Sequence, residues 1–525
     1  MPRILVSDPI AQEGVELLNQ HAQVDIKPGL AKDELKRILK DYDALVVRSE
    51  TKVTADVIEA GTKLQVIGRA GVGVDNIDLE AATRHGIAVV NAPTGNTLAA
   101  AEHTMALLLA MARHVPQANA SLRKGEWKRS SFVGVELRRK VLGIVGLGRV
   151  GSEVARRAAA FNMRLLGYDP FVSPAYAQNL GVELASLEDV FRRSDIITFH
   201  TPLTEATKGL VKERELKTMK PGVRLLNVSR GGVIDEDALL KALEEGHVAG
   251  AALDVFVKEP PGDSPLLQHP KVVATPHLGA STAEAQQEVA QEVAREVLAI
   301  LDGKPARSTV NMPFLPPDVH AVVAPYLETA TTVGNLVRQL AEGQFVSIEI
   351  RYYGELANYD TSTLKSAALV GLLRGVTEER VNLVNAPVLA AQRGLHISEQ
   401  KNGASQGYPS MIVLELKTQQ GSVSLGGTRI QNETHIVRAN DYTLDVVPTS
   451  AYLLFIDHQD RPGMIGALGT LTGQHDINIA FMAVGRQAPR GRAMMVVGLD
   501  DPIPDAVMQK ILAIPHMGSV RLTKL

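Results

Sequence analysis

A chain of 525 residues is long enough for three or four domains, each with a core of its own. With 45% hydrophobic residues, 22% charged residues and a net charge of −3, the bulk composition gives no pull towards nucleic acid or an anionic membrane, so any anion site is local. The absence of cysteine excludes disulfides, thiolate metal ligands and a cysteine nucleophile, and no metal site is expected.

The first residues, Met1-Pro-Arg-Ile-Leu-Val-Ser-Asp8, read as a strand ending in an acid, with too short an apolar part for a secretory signal. Short apolar runs at 4–6, 44–47, 66–68 and 88–90 then alternate with helical stretches, which predicts a small α/β unit up to about residue 96. From Leu98 a long helical pattern leads to Val141. Its most apolar part, 99–112, contains Glu102 and His103 and is too short to span a bilayer, so the protein is read as cytoplasmic. Between Val141 and His277 strands are expected at 198–200, 225–228, 249–253 and 272–274, a doubly wound parallel sheet. A second long helix, 281–301, stops near Gly303-Lys-Pro305 and can cross back to the first unit. The nucleotide-type unit 97–280 is thus expected as an insertion between 1–96 and 281–308, with a ligand cleft between the two.

After the proline-rich residues 311–317 the texture changes to alternating strands such as 346–352 and 411–416, predicting an α+β domain over 309–448. Gly426 and Gly427 are expected to form a hairpin turn. The remainder, 449–525, reads strand, helix, strand, strand, helix, strand, a ferredoxin-like unit whose first helix opens at Asp460-Arg-Pro-Gly463.

The run Lys140-Val-Leu-Gly-Ile-Val-Gly-Leu-Gly-Arg-Val-Gly151 leads a buried strand into Gly146, Gly148 and Gly151 and then a helix. In such a turn the first glycine tightens the chain, the second admits a pyrophosphate and the third lets helix and strand pack. Asp169, ending the next strand pattern, stands where a carboxylate grips an adenine ribose. With no arginine beside it, it favours NAD over NADP. Three polar residues each follow an expected strand. Arg230, in Asn227-Val-Ser-Arg-Gly-Gly232, can grip a carboxylate, or else cap its own sheet edge. Glu259 lies on a loop stiffened by Pro260 and Pro261 and means little alone. His277 precedes a helix start and carries a group that titrates near the pH of hydroxyl proton transfer; loop histidines are also commonly structural.

In this order, these motifs resemble the D-isomer-specific 2-hydroxyacid dehydrogenases. Val47-Arg-Ser-Glu-Thr-Lys-Val-Thr54, Gly68-Arg-Ala-Gly-Val-Gly-Val-Asp-Asn76, Asn91-Ala-Pro-Thr-Gly-Asn-Thr97, Gly250-Ala-Ala-Leu-Asp-Val-Phe256 and Pro276-His-Leu-Gly-Ala-Ser-Thr282 narrow the likeness to the long-form branch acting on 3-phospho-D-glycerate. It covers essentially the whole chain.

The resemblance implies an α/β fold with a Rossmann NAD-binding domain inserted in a flavodoxin-like substrate domain, followed by an intervening domain and an ACT domain. It implies catalytic roles for His277, Glu259 and Arg230. Cofactor contacts carry over to Gly146, Gly148, Arg149, Val150, Gly151, Asp169, Thr201, Val228, Ser229, Arg230, Asp254, His277, Leu278, Gly279 and Ala280. Asp254 also fits a buried, hydrogen-bonded carboxylate. A phosphorylated three-carbon substrate would meet Arg48, Ser49, Arg69, Gly71, Asn96 and Arg129, although Asn96 also suits a helix cap and Arg129 a solvated surface. The ACT resemblance implies L-serine as effector, held by Asp460 and Asn478, with His458 where some serine-regulated relatives carry an aromatic. It also fits a domain used only for assembly, and a homo-oligomer, a tetramer, is expected. Arg429, His435 and Arg438 form either a second anion site or a solvated strand face. Competing readings are a dehydrogenase of unphosphorylated acids such as 2-hydroxyglutarate and an NADH-sensing binding scaffold.

Overall fold

A computed structural model describes residues 1–525 apart from 305, 314, 316, 378 and 379 and the side chains of 317 and 318. The expected helix stop at Pro305, and Phe314 and Pro316 of the expected linker, lie outside the described residues.

The first sheet consists of β1 (Arg3–Val6), β2 (Gln23–Ile26), β3 (Ala44–Val47), β4 (Val66–Arg69) and β5 (Ala88–Asn91), all parallel in the order β2-β1-β3-β4-β5. This is flavodoxin-like order. Strands β1, β3, β4 and β5 are apolar on both faces because helices cover both. One of those helices is Ala283–Leu301, far along the chain. Its Val289, Val293 and Val297 share a core with Ile4, Val46, Val66 and Val90. The close approach depends on small residues, since a Cβ on Gly68 would lie 2.5 Å from Val297 Cγ2, and one on Gly14 would lie 2.7 Å from Ala290 Cβ. The chain therefore leaves this unit through the helix Thr97–Arg113 and returns through Ala283–Leu301.

Between those helices lies the second sheet: β6 (Val141–Val145), β7 (Arg164–Tyr168), β8 (Val182–Leu184), β9 (Ile196–Phe199), β10 (Val223–Asn227), β11 (Val248–Leu253) and β12 (Val272–Ala274). All pairings are parallel and the order is β12-β11-β10-β9-β6-β7-β8. The order reverses between β6 and β9, the place where such sheets open a ligand crevice. His200 follows β9 rather than ending it. The expected unbroken helical pattern from Leu98 is also divided. His114 takes a left-handed conformation at φ 53°, a second helix, Val115–Arg123, starts beside Pro116, and a single short turn, Arg129–Phe132, follows.

The third sheet runs β14 (His396–Asn402), β13 (Phe345–Gly354), β15 (Ser410–Thr418), β16 (Gly421–Ile430), β17 (Glu433–Ala439) and β18 (Tyr442–Val446) in spatial order. Only β13 and β14 are parallel. Gly426 and Gly427, expected as a hairpin turn, lie inside β16. A Cβ on Gly427 would come within 2.8 Å of Thr329 and Val333 on the helix Tyr326–Leu340, so glycine is there to let that helix lie on the sheet. The last unit, β19 (Tyr452–Gln459), β20 (Ile479–Arg486), β21 (Arg492–Leu499) and β22 (Met517–Lys524), has the antiparallel order β20-β21-β19-β22 with two helices. Among the described residues no helix is long and apolar enough to cross a membrane.

Candidate active site

The glycine turn is shaped partly by packing and partly by space left open. Gly146 has φ +95°, and a Cβ there would lie 2.4 Å from the His200 carbonyl oxygen. A Cβ on Gly151 would lie 2.0 Å from the Gly146 oxygen, whereas one on Gly148 would meet nothing within 4 Å. The first and third glycines are thus imposed by the fold, and the second leaves room for a ligand. Asp169 accepts hydrogen bonds from the backbone N–H of Leu147 at 2.8 Å and of Phe171 at 2.9 Å, so it braces the turn it faces. Next to Gly146, the Thr201 hydroxyl is buried without a hydrogen-bond partner among the described residues. An open glycine and an orphaned hydroxyl at one switch point fit a dinucleotide. Burial pushes the neighbouring His200 imidazole down to about 4, so it is neutral; it bonds the Thr198 hydroxyl at 2.9 Å.

Three adjacent strand ends supply the polar residues. After β10, the Asn227 amide donates to the Arg230 carbonyl at 2.8 Å and accepts from Ser229, which shapes the turn Val228-Ser-Arg230. The Arg230 guanidinium reaches across to the first unit, with Nε 3.3 Å from Asp75. After β11, Asp254 is wholly buried and accepts from the Thr275 hydroxyl at 2.6 Å and the N–H groups of Leu278 at 2.7 Å and Gly279 at 2.8 Å. After β12, His277 sits at φ +54°, a conformation costing a non-glycine residue about 1–3 kcal/mol, and its N–H is anchored on the Asp254 carbonyl at 2.9 Å. Its Nδ1 lies 2.7 Å from Glu259 Oε2. Burial raises the Glu259 carboxyl, but the His277 ring and the Phe256 N–H outweigh it and hold the group below the usual glutamate range.

His277, Glu259, Arg230 and Ala280 line a cavity of about 370 Å³ whose opposite wall is Arg48, Ser49, Arg69, Gly71 and Asn96. Arg69 is mostly buried, and among the described residues its Nε has no partner and its guanidinium pairs with no carboxylate. Burial first, then the nearby Arg230 cation, lower it to about 10, so it stays charged at neutral pH. Its placement requires Gly71, because a Cβ there would fall 1.5 Å from Arg69 Nη1. Asn96 faces the cavity and makes no side-chain capping bond to the helix it precedes. A larger cleft of about 1100 Å³, lined by Arg307, Arg380 and Glu292, contains none of His277, Glu259 and Arg230.

Of the residues expected to meet the substrate, Arg129 is not brought to the cavity, and those expected at an effector or second anion site lie in other domains. Arg129 is exposed on the short turn Arg129–Phe132 and does not line the cavity. In the last unit Asp460 is occupied by the Arg490 N–H and by Arg486, while Asn478 bonds Asp500 at 2.6 Å. His458 is buried there with an unpartnered Nδ1. Arg429, His435 and Arg438 are each partnered locally, by Glu328, Asp445 and the Asn440 carbonyl. Two site neighbours escape sequence reasoning: Asp75, whose partner Arg230 is far along the chain, and His103, a lone histidine on an apolar helix that contacts Asp254.

Fold and cavity together define an oxidoreductase that handles a hydroxyl beside a carboxylate, with a dinucleotide as hydride acceptor. A family model described as D-isomer specific 2-hydroxyacid dehydrogenase, NAD binding domain matches residues 105–279; others, a D-3-phosphoglycerate dehydrogenase intervening domain and an ACT domain, match 322–440 and 452–516. Curated relatives called D-3-phosphoglycerate dehydrogenase include those of Synechocystis sp., 46% identical over 100% of this chain and 95% of the relative, and Bacillus subtilis, 44% identical over 100% of both. Among solved structures, the TT0316 protein from Thermus thermophilus is 36% identical with TM-score 0.55, covering 59% of this chain and 99% of that one. D-Lactate dehydrogenase from Aquifex aeolicus, complexed with NAD and lactic acid, is 29% identical with TM-score 0.51, covering 57% and 96%. The chain belongs to the D-3-phosphoglycerate dehydrogenase family, and its cofactor is NAD.

Replacing Gly148 by Val adds side-chain atoms where the fold leaves space. The variant is expected to keep the wild-type melting temperature while NADH affinity, read by fluorescence titration, falls at least about tenfold, the effect of losing about 1.4 kcal/mol. Unchanged affinity contradicts the placement of the dinucleotide on this turn.

Proposed function

We propose that this enzyme oxidises 3-phospho-D-glycerate to 3-phosphohydroxypyruvate, the first step of L-serine biosynthesis from that acid, with His277 as general base, Glu259 as its orienting carboxylate and Arg230 on the substrate carboxylate. The observation that carries the reading is the His277–Glu259 pair facing, across one small cavity, Arg69, which has no carboxylate partner among the described residues. NAD, when bound, accepts the hydride released from C2. The chain supplies the rest. With Glu259 anionic, Nδ1 of His277 carries its hydrogen towards that carboxylate and Nε2 is left to take the hydroxyl proton as the C2 carbonyl forms. Arg230 orients the carboxylate so that C2 presents its hydrogen to the cofactor. Arg69 and Arg48 are matched to the phosphate: a dianion repays the desolvation of two cations that a neutral group cannot. The glycine turn, Asp169, Thr201, Asp254 and the 277–280 turn hold the cofactor.

The terminal domain takes a small-molecule effector, which we assign as L-serine, in a homotetramer located in the cytoplasm. The unpartnered His458 Nδ1 near Asp460 supports a ligand there. Serine titrations that stay flat in both binding and activity remove this assignment.

Two substitutions test the central site. Arg69→Ala is expected to raise KM for 3-phosphoglycerate by roughly 10- to 150-fold, the effect of one charge-assisted contact of about 1.5–3 kcal/mol, with kcat changed only a few-fold. An unaltered KM sinks the phosphate assignment, and equal loss on 2-hydroxyglutarate points to carboxylate recognition instead. Glu259→Gln replaces a carboxylate held below the usual glutamate range by the His277 ring and the Phe256 N–H with a neutral amide in contact with Nδ1. The kcat should fall by part of the roughly 10²- to 10⁴-fold worth of a positioned base, with KM for 3-phosphoglycerate close to wild type. A kcat that stays at the wild-type value rules out Glu259 as the orienting partner of His277.

A further inference from the structure

The buried Asp254 carboxylate has one donor from outside its own neighbourhood. Nε2 of His103, on the helix Thr97–Arg113, lies 3.2 Å from Asp254 Oδ1 and 3.1 Å from the Thr275 hydroxyl oxygen. Because that hydroxyl already donates to Asp254 at 2.6 Å, its oxygen is free to accept, and a single His103 N–H is shared between the two. The same carboxylate fixes the N–H groups of Leu278 and Gly279, immediately after His277. Burial raises the Asp254 carboxyl, and the contacts from His103, Thr275 and Leu278 outweigh it, so His103 helps keep anionic the group that holds the turn.

We propose that His103 is a positioning residue for the reaction: through Asp254 it locks the 277–279 turn to the Thr97–Arg113 helix, so that the proton acceptor is held by the same rigid element that carries the substrate wall. Asn96, lining the cavity, directly precedes this helix, and His103 follows two turns later, about 10 Å along the axis. Cavity wall and imidazole are thereby tied to one body, although they belong to different parts of the chain. The left-handed backbone at His277 makes this hold consequential, since a strained turn relaxes when its anchors weaken.

The inference rests on the reading of His277 as the base, so the experiment includes a variant for each. In the full-length enzyme, His103→Leu removes the donor at similar volume, and His103→Gln keeps an N–H near the Nε2 position. His103→Asn, too short to reach Asp254, serves if the leucine variant does not fold. The expected result is a kcat of His103→Leu lower by up to about 100-fold, as for a misplacement near 1 Å, with melting temperature and KM for 3-phosphoglycerate close to wild type. Hydrogen exchange of the peptide covering 276–281, measured without cofactor, should be at least about tenfold faster, following the weakened hold on two amides. His103→Gln should restore most of the turnover and the protection. Wild-type turnover and exchange in His103→Leu overturn the proposal, as does a glutamine variant no better than leucine. An inactive His277→Asn enzyme beside a normal His103→Leu enzyme leaves the base assignment standing and removes only this inference; an active His277→Asn enzyme removes both.

Discussion

The contact on which the rest depends is the 2.7 Å approach of the His277 imidazole to the Glu259 carboxylate. Neither residue is chemically special in isolation. Their pairing is produced by parallel sheet order, which places the ends of β10, β11 and β12 side by side and so gathers Arg230, Glu259 and His277 from three separate loops. Asp254 anchors the last of these loops by both its carbonyl and its carboxylate. The chemistry is thus a consequence of strand register, and loops with little regular structure are made precise by one buried acid.

The opposite wall works by a different principle. A chain with a net charge of −3 concentrates Arg48, Arg69 and Arg230 around one cavity. Arg69 is desolvated there without a carboxylate, which costs stability and has lowered it to about 10. Such a cost is offset when an anion arrives, and this is what supports the proposed contact between Arg69 and the substrate phosphate. Asp75 tempers this by pairing with Arg230 at 3.3 Å, and because the Asp75 carboxylate is largely exposed it can be exchanged for a substrate carboxylate at little cost.

Much of this was readable from residue order because the relevant signals are local. A glycine turn, its following acid and polar residues just past apolar runs each lie within a few positions, and the motifs that carry the family resemblance are contiguous. What was not readable depended on three-dimensional neighbours. Gly426 and Gly427 look like a turn, but they lie inside a strand, and the space Gly427 leaves is filled by Thr329 and Val333 from a distant helix. Arg129 is one of many arginines, and only the path of the chain sets it apart from the cavity. Asp460 and Asn478 fit a motif, whereas their bonds to Arg490 and Asp500 are made by loops the motif does not include. His103 carried no signal beyond being a histidine on an apolar helix, since its meaning comes from an aspartate on another strand.

The most direct measurement is a crystal structure of the enzyme with NADH and 3-phosphohydroxypyruvate. The account predicts the C2 oxygen within hydrogen-bond reach of His277 Nε2, roughly 2.6–3.2 Å, with the carboxylate on Arg230 and the phosphate on Arg69. A complex in which the imidazole leaves Glu259 and faces away from the substrate, or in which the phosphate avoids Arg69, contradicts it.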